Sequence, residues 1–317
     1  MGNTKTLAAR DAYGEVLIEL GSTNSNIVVL DADLSGSTRT AYFANSFPGR
    51  FFNMGIAEQD MIGTAAGLAT TGKTVFASSF AMFASGRPWE QIRNSVCYPN
   101  LNVKIVASHA GLTVGEDGAS HQALEDIAIM RVLPNMRVLI PSDYYETKEI
   151  IKWVASVPGP CYVRFCRAAS PVVNNENYKF NPTEYPILKS GHDVALAASG
   201  IMVYEALLAA EELAKENISA MVVNVNKIKP ILTDQIVKIA REVKAIVTAE
   251  EHNIIGGLGS AVAEVLVKNY PLPMEFVGTN DTFGESGKPE ELLSKYGLKS
   301  KNIYLAAKKV LKNYDSN

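Results

Sequence analysis

Two successive parallel-sheet α/β domains are what this sequence predicts, and three observations carry the prediction. Apolar runs of strand length alternate with amphipathic stretches of helix length through most of the chain. The alternation breaks once, over the Asn- and Pro-rich stretch SPVVNNENYKFNPTEYP, and then resumes in the same style. Short apolar strands separated by single helices are the mark of parallel sheets covered on both faces.

In chain order, strands are expected at 26–30, 51–54, 74–77, 103–108, 137–140 and 161–165, with helices at 59–70, 88–96, 124–132 and 145–157 between them. Pro88 suits a first helical turn, where a missing N–H costs nothing, and Gly72 suits a helix end. These elements make a first domain over 1–172, followed by a linker over 173–190. The second domain, 191–317, reads as strand 194–198, helix 203–217, strand 220–225 and helix 234–243. Strand 245–249, helix 260–270, strand 274–277 and two closing helices complete it.

Composition narrows the function classes. The 317 residues are 47% hydrophobic and 20% charged, with a formal net charge of −3. That balance is ordinary for a globular protein and gives no global attraction to nucleic acid or to an anionic membrane. No run approaches the roughly 18 apolar residues of a membrane span, and the N-terminal stretch lacks the apolar core of a secretory signal. MGNTKT loosely satisfies a myristoylation pattern, with Gly2 first and Thr6 in the hydroxyl position, but nothing nearby is polybasic. Cys97, Cys161 and Cys166 form no Cys-x-x-Cys, and the last two fall on opposite faces of one strand. They read as reduced core thiols of a cytoplasmic protein.

Open α/β sheets bind ligands beyond the C-terminal ends of their strands, and four first-domain segments stand out there. In RFFNMGIAEQDMIG, Glu58 opens a helix after a strand and Gly55. It reads either as a carboxylate complementing the helix dipole or as an acid–base group. In the second case Ile56, Ala57, Met61 and Ile62 supply an apolar setting that raises its pKa. In SSFAMFASGRPWEQ, Phe80 and Phe83 share one side of a turn, as core or as a platform for a flat ring with Arg87 nearby. In ASHAGLTVGEDGASHQ, His109 and His121 flank a Gly-rich loop holding Glu116 and Asp117, in a spacing that fits no zinc site. In YVRFCRAASP, Arg164 and Arg167 end a strand, either solvating it or gripping a phosphate. His192 and His252 read as structural, and GGLGS at 256–260 as close helix packing rather than a dinucleotide fingerprint.

Taken in order, GIAEQ, SSF with its second Phe, SHxGLTVGEDGxxHQ, LPNMRVLIPSD and the RxxSP ending make the chain resemble the transketolase family from about Val28 onward. The resemblance implies a pyrimidine-binding domain followed by a transketolase C-terminal domain. It implies thiamine diphosphate as cofactor, with Glu58 matching the glutamate that contacts N1′ of the aminopyrimidine. Phe83 matches the ring that stacks on the pyrimidine, and Phe80 and Ile56 line the same pocket. His109, Asp117, His121 and Arg167 match groups around the substrate, with His109 and Arg167 on the sugar phosphate, His109 and His121 acting as proton carriers, and Arg39 reaching the same end. The Gly-Asp-Gly segment and paired Asn that hold the diphosphate and Mg²⁺ in the family have no counterpart: Glu116-Asp117-Gly118 belongs to the substrate loop, and Asn174-Asn175 lies in the linker.

The resemblance therefore implies one half of a split enzyme, completed by an N-terminal subunit in an α2β2 assembly, that transfers a two-carbon ketol unit between sugar phosphates. Pentose phosphates are the default substrates. Rival readings are the β subunit of a 2-oxo acid dehydrogenase E1, a deoxyxylulose-phosphate-synthase-like half, and a regulatory module that keeps the fold without the chemistry. His109 together with His121 discriminates against the first.

Overall fold

The computed structural model describes residues 5–315; Gly2 and the lipidation pattern it begins lie outside them. Seven strands form the first sheet, in the spatial order Lys227–Lys229, Arg137–Leu139, Cys161–Arg164, Val103–Ser108, Thr74–Phe80, Ile27–Asp31 and Phe51–Asn53. All are parallel except the first. The five central ones are almost wholly buried, as a sheet with helices on both faces requires. A second, five-stranded sheet runs Met274–Thr279, Ala245–Asn253, Val194–Ala198, Ala220–Asn224 and Ile187–Lys189, with only the last antiparallel. Thr6–Leu7 and Ser170–Pro171 make a short antiparallel ribbon.

The alternation read from sequence reappears with small shifts. Val103–Ser108 and Val194–Ala198 have the expected bounds, while Thr74–Phe80 and Ala245–Asn253 run three and four residues past them. The stretch expected as helix 88–96 is one α-helical turn, Trp89–Gln91, passing into a π-helical segment, Ile92–Cys97.

Three features join the two units. The strand Lys227–Lys229, from the second, adds an antiparallel edge to the first sheet beside Arg137–Leu139. Within the second unit, Ile187–Lys189, from the stretch read as linker, pairs with Ala220–Asn224. Between the sheets lies Glu146, fully buried, whose carboxylate accepts from Ser142 N and Oγ at 2.7 Å each. It also accepts from Tyr178 Oη and Asn226 Nδ2 at 2.6 Å and from Asn224 Nδ2 at 2.9 Å. A buried charge is tolerated only when satisfied in this way, so the domain contact is specific as well as apolar. One apolar cluster runs across it, from Val28 and Ile105 to Val223 and Leu258.

A helix at Ala9–Thr23 was not among the expected elements. Its buried face is Ala9, Ala12, Tyr13, Gly14, Val16, Leu17 and Gly21. Alanine and glycine carry little hydrophobic signal, yet a Cβ at Gly14 would lie 2.6 Å from the Tyr42 ring. The face combines close approach at its glycines with the apolar bulk of Tyr13, Val16 and Leu17.

Candidate active site

The C-terminal ends of the first sheet's strands converge on one region, and each strand delivers a piece. Thr74–Phe80 leads into the short helix Ala81–Gly86, which carries Phe83 and brings Arg87 round. Phe51–Asn53 leads through Gly55, in the left-handed region at φ 70°, into the helix Glu58–Thr70. Glu58 is 3% exposed and accepts from Ser79 Oγ at 3.3 Å. Arg87 Nη1 donates to both of its oxygens, at 2.9 and 3.1 Å. The same guanidinium has its central carbon 4.2 Å from the centroid of the Phe83 ring. The setting of Glu58 is thus ionic where the sequence suggested an apolar one: Ile56 is 77% exposed, and Met61 and Ile62 belong to the core.

Phe80 and Phe83 lie nearly parallel, with centroids 6.1 Å apart and planes at 19°. Phe80 is stacked on His109, at 3.8 Å and 15°. His121 meets Phe83 edge-on at 5.1 Å. These four rings link the Glu58 end of the site to the Gly-rich loop in one contiguous surface.

His109 follows Val103–Ser108 directly and has φ 58°. Among the described residues seven non-glycine residues have positive φ, and Asn100, Asn135, Asn217, Asp33, Asp281 and His109 are of the types enriched there. Arg39, the seventh, and His109 are both site candidates, and backbone strain held in place by its surroundings is a feature of functional positions. Ser108 Oγ lies 2.8 Å from His109 Nδ1, which leaves Nε2 on the opposite side of the ring. Burial pushes the imidazole down to about 3, and the charges of Arg10, Arg167, His121 and Arg39 press the same way. His109 is therefore a neutral ring with three guanidinium groups around it.

Arg167 donates to Val114 O at 2.7 Å and lies 3.5 Å from Glu116 and 3.9 Å from Asp117. Arg39 pairs with Asp11 at 2.6 Å and donates to Gly36 O at 2.9 Å. Arg10, on the helix that sequence reasoning missed, reaches Ser37 O at 3.3 Å, and its Nε is buried with no hydrogen-bond partner. Burial, then the nearby Arg39, lowers its pKa. A single arginine in the first turn of a helix carries no local signal for such a role. Arg164 does not join this cluster: it is buried, ion-paired with Asp126 at 2.8 Å and donating to Glu251 O at 3.2 Å, so it grips the protein and not a ligand.

The remaining candidates separate cleanly. His192 is on the surface beside Asp193, and His252 is buried with Nδ1 2.6 Å from Asn253 O. The glycines at 257 and 259 leave room for the Glu250 carboxyl and the Phe276 ring, which is close packing. Cys97, Cys161 and Cys166 are buried free thiols. Among the described residues no helix is long and apolar enough to cross a membrane.

The chemistry this arrangement supports is specific. A planar, delocalised nitrogen cation rests one nitrogen on Glu58 and its centre over Phe83, so the pair fits a flat nitrogen heterocycle. Some distance along the ring surface, a neutral imidazole and a guanidinium cluster fit a small hydroxylated molecule ending in an anion.

Comparison with known proteins gives the family. Residues 5–172 match the transketolase pyrimidine-binding domain and residues 184–303 the transketolase C-terminal domain. The chain is 57% identical to a putative transketolase C-terminal section of Methanocaldococcus jannaschii, covering 93% of each. It is 43% identical to a 6-deoxy-6-sulfo-D-fructose transketolase subunit of Clostridium sp., covering 95% of this chain and 94% of that one. A solved split gene transketolase, an inactive β4 tetramer, superposes with a TM-score of 0.90 at 55% identity, over 96% of this chain and 99% of the other. The chain therefore belongs to the transketolase family, as a subunit composed of its pyrimidine-binding and C-terminal domains.

Proposed function

We propose that this chain is the pyrimidine-holding half of a two-chain transketolase that uses thiamine diphosphate to move a two-carbon ketol unit from a ketose phosphate to an aldose phosphate. The observation that carries the reading is the Arg87 guanidinium, which makes with Glu58 and Phe83 the two contacts an aminopyrimidine needs. When bound, the cofactor supplies a stabilised carbanion for carbon–carbon cleavage and transfer. This chain's part is to hold the pyrimidine edge on Glu58 and its face on Phe83, with Arg87 swung aside.

The substrate end follows from the charges. Arg10, Arg39 and Arg167 would clamp the terminal oxyanion, whose charge relieves their mutual repulsion. His109, kept neutral by burial, donates or accepts a hydrogen bond at Nε2, and His121 and Asp117 stand nearer the hydroxyls. Neutral His109 suits a hydrogen-bonding partner of substrate oxygens better than a fixed phosphate cation. The diphosphate and Mg²⁺ are assigned to an N-terminal partner chain, and the assembly to two copies of each, in the cytoplasm. The guanidinium cluster accommodates a sulfonate as well as a phosphate, which is the chemistry named for the Clostridium relative.

The test is two-carbon transfer from xylulose 5-phosphate to ribose 5-phosphate, measured with the chain alone and co-purified with its N-terminal partner. Transfer only in the pair supports the reading. Transfer by the lone chain contradicts the division of labour. A pair that binds cofactor and transfers only from a sulfonated ketose moves the substrate class and keeps the chemistry.

A further inference from the structure

From the contacts beneath the Gly-rich loop we infer that Glu251, in the second domain, is a positioning residue that sets the loop carrying His109, Asp117 and His121. The inference rests on reading that loop as the substrate loop. It also assigns a task to a domain whose own strand ends carry no candidate site.

The loop leaves the first sheet at His109 and would project into solvent without support. Support comes from two points on the second domain. Glu251, at the end of the strand Ala245–Asn253, turns its buried carboxyl under the loop and accepts the Thr113 N–H at 2.6 Å. Gly111 has φ 79°, and a Cβ there would overlap the Glu251 carboxyl. The glycine is thus required twice, by conformation and by this contact. Farther out, Gln122 Nε2 donates to Glu285 O at 2.9 Å and Ser286 Oγ to Glu116 O at 2.6 Å. A Cβ at Gly284 would overlap the Gln122 side chain.

These contacts reach the site through short paths. Thr113 is followed by Val114, whose carbonyl takes the Arg167 hydrogen bond at 2.7 Å. Glu116 is followed by Asp117. An unsupported loop would therefore lose the placement of Arg167, Asp117 and His121 together. Burial pushes the Glu251 carboxyl up to about 7, and the Arg164 guanidinium pulls it back. Both protonation states keep an oxygen that accepts the Thr113 N–H, so the amide of a glutamine serves as well.

The test uses the complex with the partner chain, carrying Glu251→Ala, Glu251→Gln or Ser286→Ala. It reads KM and kcat for the sugar phosphates, the Kd of thiamine diphosphate, and amide exchange over residues 111–121. Glu251→Ala is expected to cost roughly ten- to a hundredfold in kcat/KM, mostly through KM, as sub-ångström misplacement of binding groups does. Exchange at Thr113 should accelerate while the cofactor Kd changes far less than KM, because Glu58 and Phe83 stand on other segments and the loop meets Phe83 only through the edge of His121. Glu251→Gln should restore both readouts, and the exposed Ser286→Ala should move them the same way by less. Unchanged exchange and KM in both Glu251→Ala and Ser286→Ala overturns the inference. So does a cofactor Kd that weakens in step with KM, or a Glu251→Gln no better than Glu251→Ala. Should Glu251→Ala fail to fold, Ser286→Ala decides. A wild-type complex that transfers nothing would sink the functional reading, while the exchange rates would still decide the support.

Discussion

After the strand Val103–Ser108 the chain enters a glycine-rich loop, and after Ala245–Asn253 it enters another, at 256–260. Both sit where a parallel sheet offers its ligand-binding edge. In the second loop every strong group is already spoken for. Glu250, buried, turns back to accept the N–H groups of Leu258 and Gly259 at 2.7 and 2.9 Å, filling the N-terminus of the helix that follows. In the first loop no internal carboxylate plays this part. His109 is held at positive φ with arginines around it, and Asp117 and His121 remain accessible. The same architectural position is thus spent on stability in one domain and kept open for a ligand in the other.

Substitutions at the two ends should break that contrast in opposite ways. The largest effect is expected at Glu58: Glu58→Ala removes the carboxylate that takes the heterocycle edge, and transfer should fall by about 10²–10⁴-fold, the usual range for an acid–base group. Arg10→Ala comes next. It should raise KM for anionic sugars by roughly tenfold or more and leave uncharged ketoses unaffected, which steady-state kinetics with both substrate types will show. Glu250→Ala, in the second domain, should leave kcat nearly unchanged while lowering stability. Each orphaned buried N–H costs about 1–3 kcal/mol, visible as a fall in the thermal midpoint.

Two smaller effects sharpen the comparison. His109 is held near 3 when folded against an ordinary 6.5, so between those values the unfolded chain binds the proton and the folded chain does not. Its contribution is complete above the unfolded value and is lost progressively as pH falls below it. Denaturation midpoints of His109→Gln should therefore fall less steeply with acidification than those of the wild type. Arg87→Gln removes the internal cation from Glu58 and Phe83; stopped-flow binding should show a faster cofactor on-rate with little change in maximal transfer.

How much of this was legible in the sequence depends on distance along the chain. The parallel strands of both sheets announce themselves because continuous apolar runs such as VVL and VALAA have few alternatives. His109, Asp117, His121 and Arg167 are legible because they cluster on loops at strand ends. The helix Ala9–Thr23 goes unread although Tyr13, Val16 and Leu17 recur at helical spacing, because alanine or glycine fills four of its seven inner positions and dilutes the signal; with it Arg10 stays hidden. Lys227–Lys229 is charged and short, and it becomes a strand only because the first sheet offers an edge. Glu251 supports Thr113 across 138 positions of sequence, a relation no local pattern encodes. The stacking of Phe80 on His109 depends on the strand Thr74–Phe80 running three residues longer than its apolar run suggests.

In the proposed function Glu58 and Phe83 hold an aminopyrimidine in a state able to draw a proton from its own thiazolium ring. Hydrogen–deuterium exchange at C2 of thiamine diphosphate, followed by NMR in the complex with the partner chain, tests this without any sugar present. Exchange should be far faster in the wild-type complex than in free cofactor, and Glu58→Gln should return it nearly to the free rate with binding retained. Equal exchange in wild type and Glu58→Gln, both carrying bound cofactor, would contradict the account.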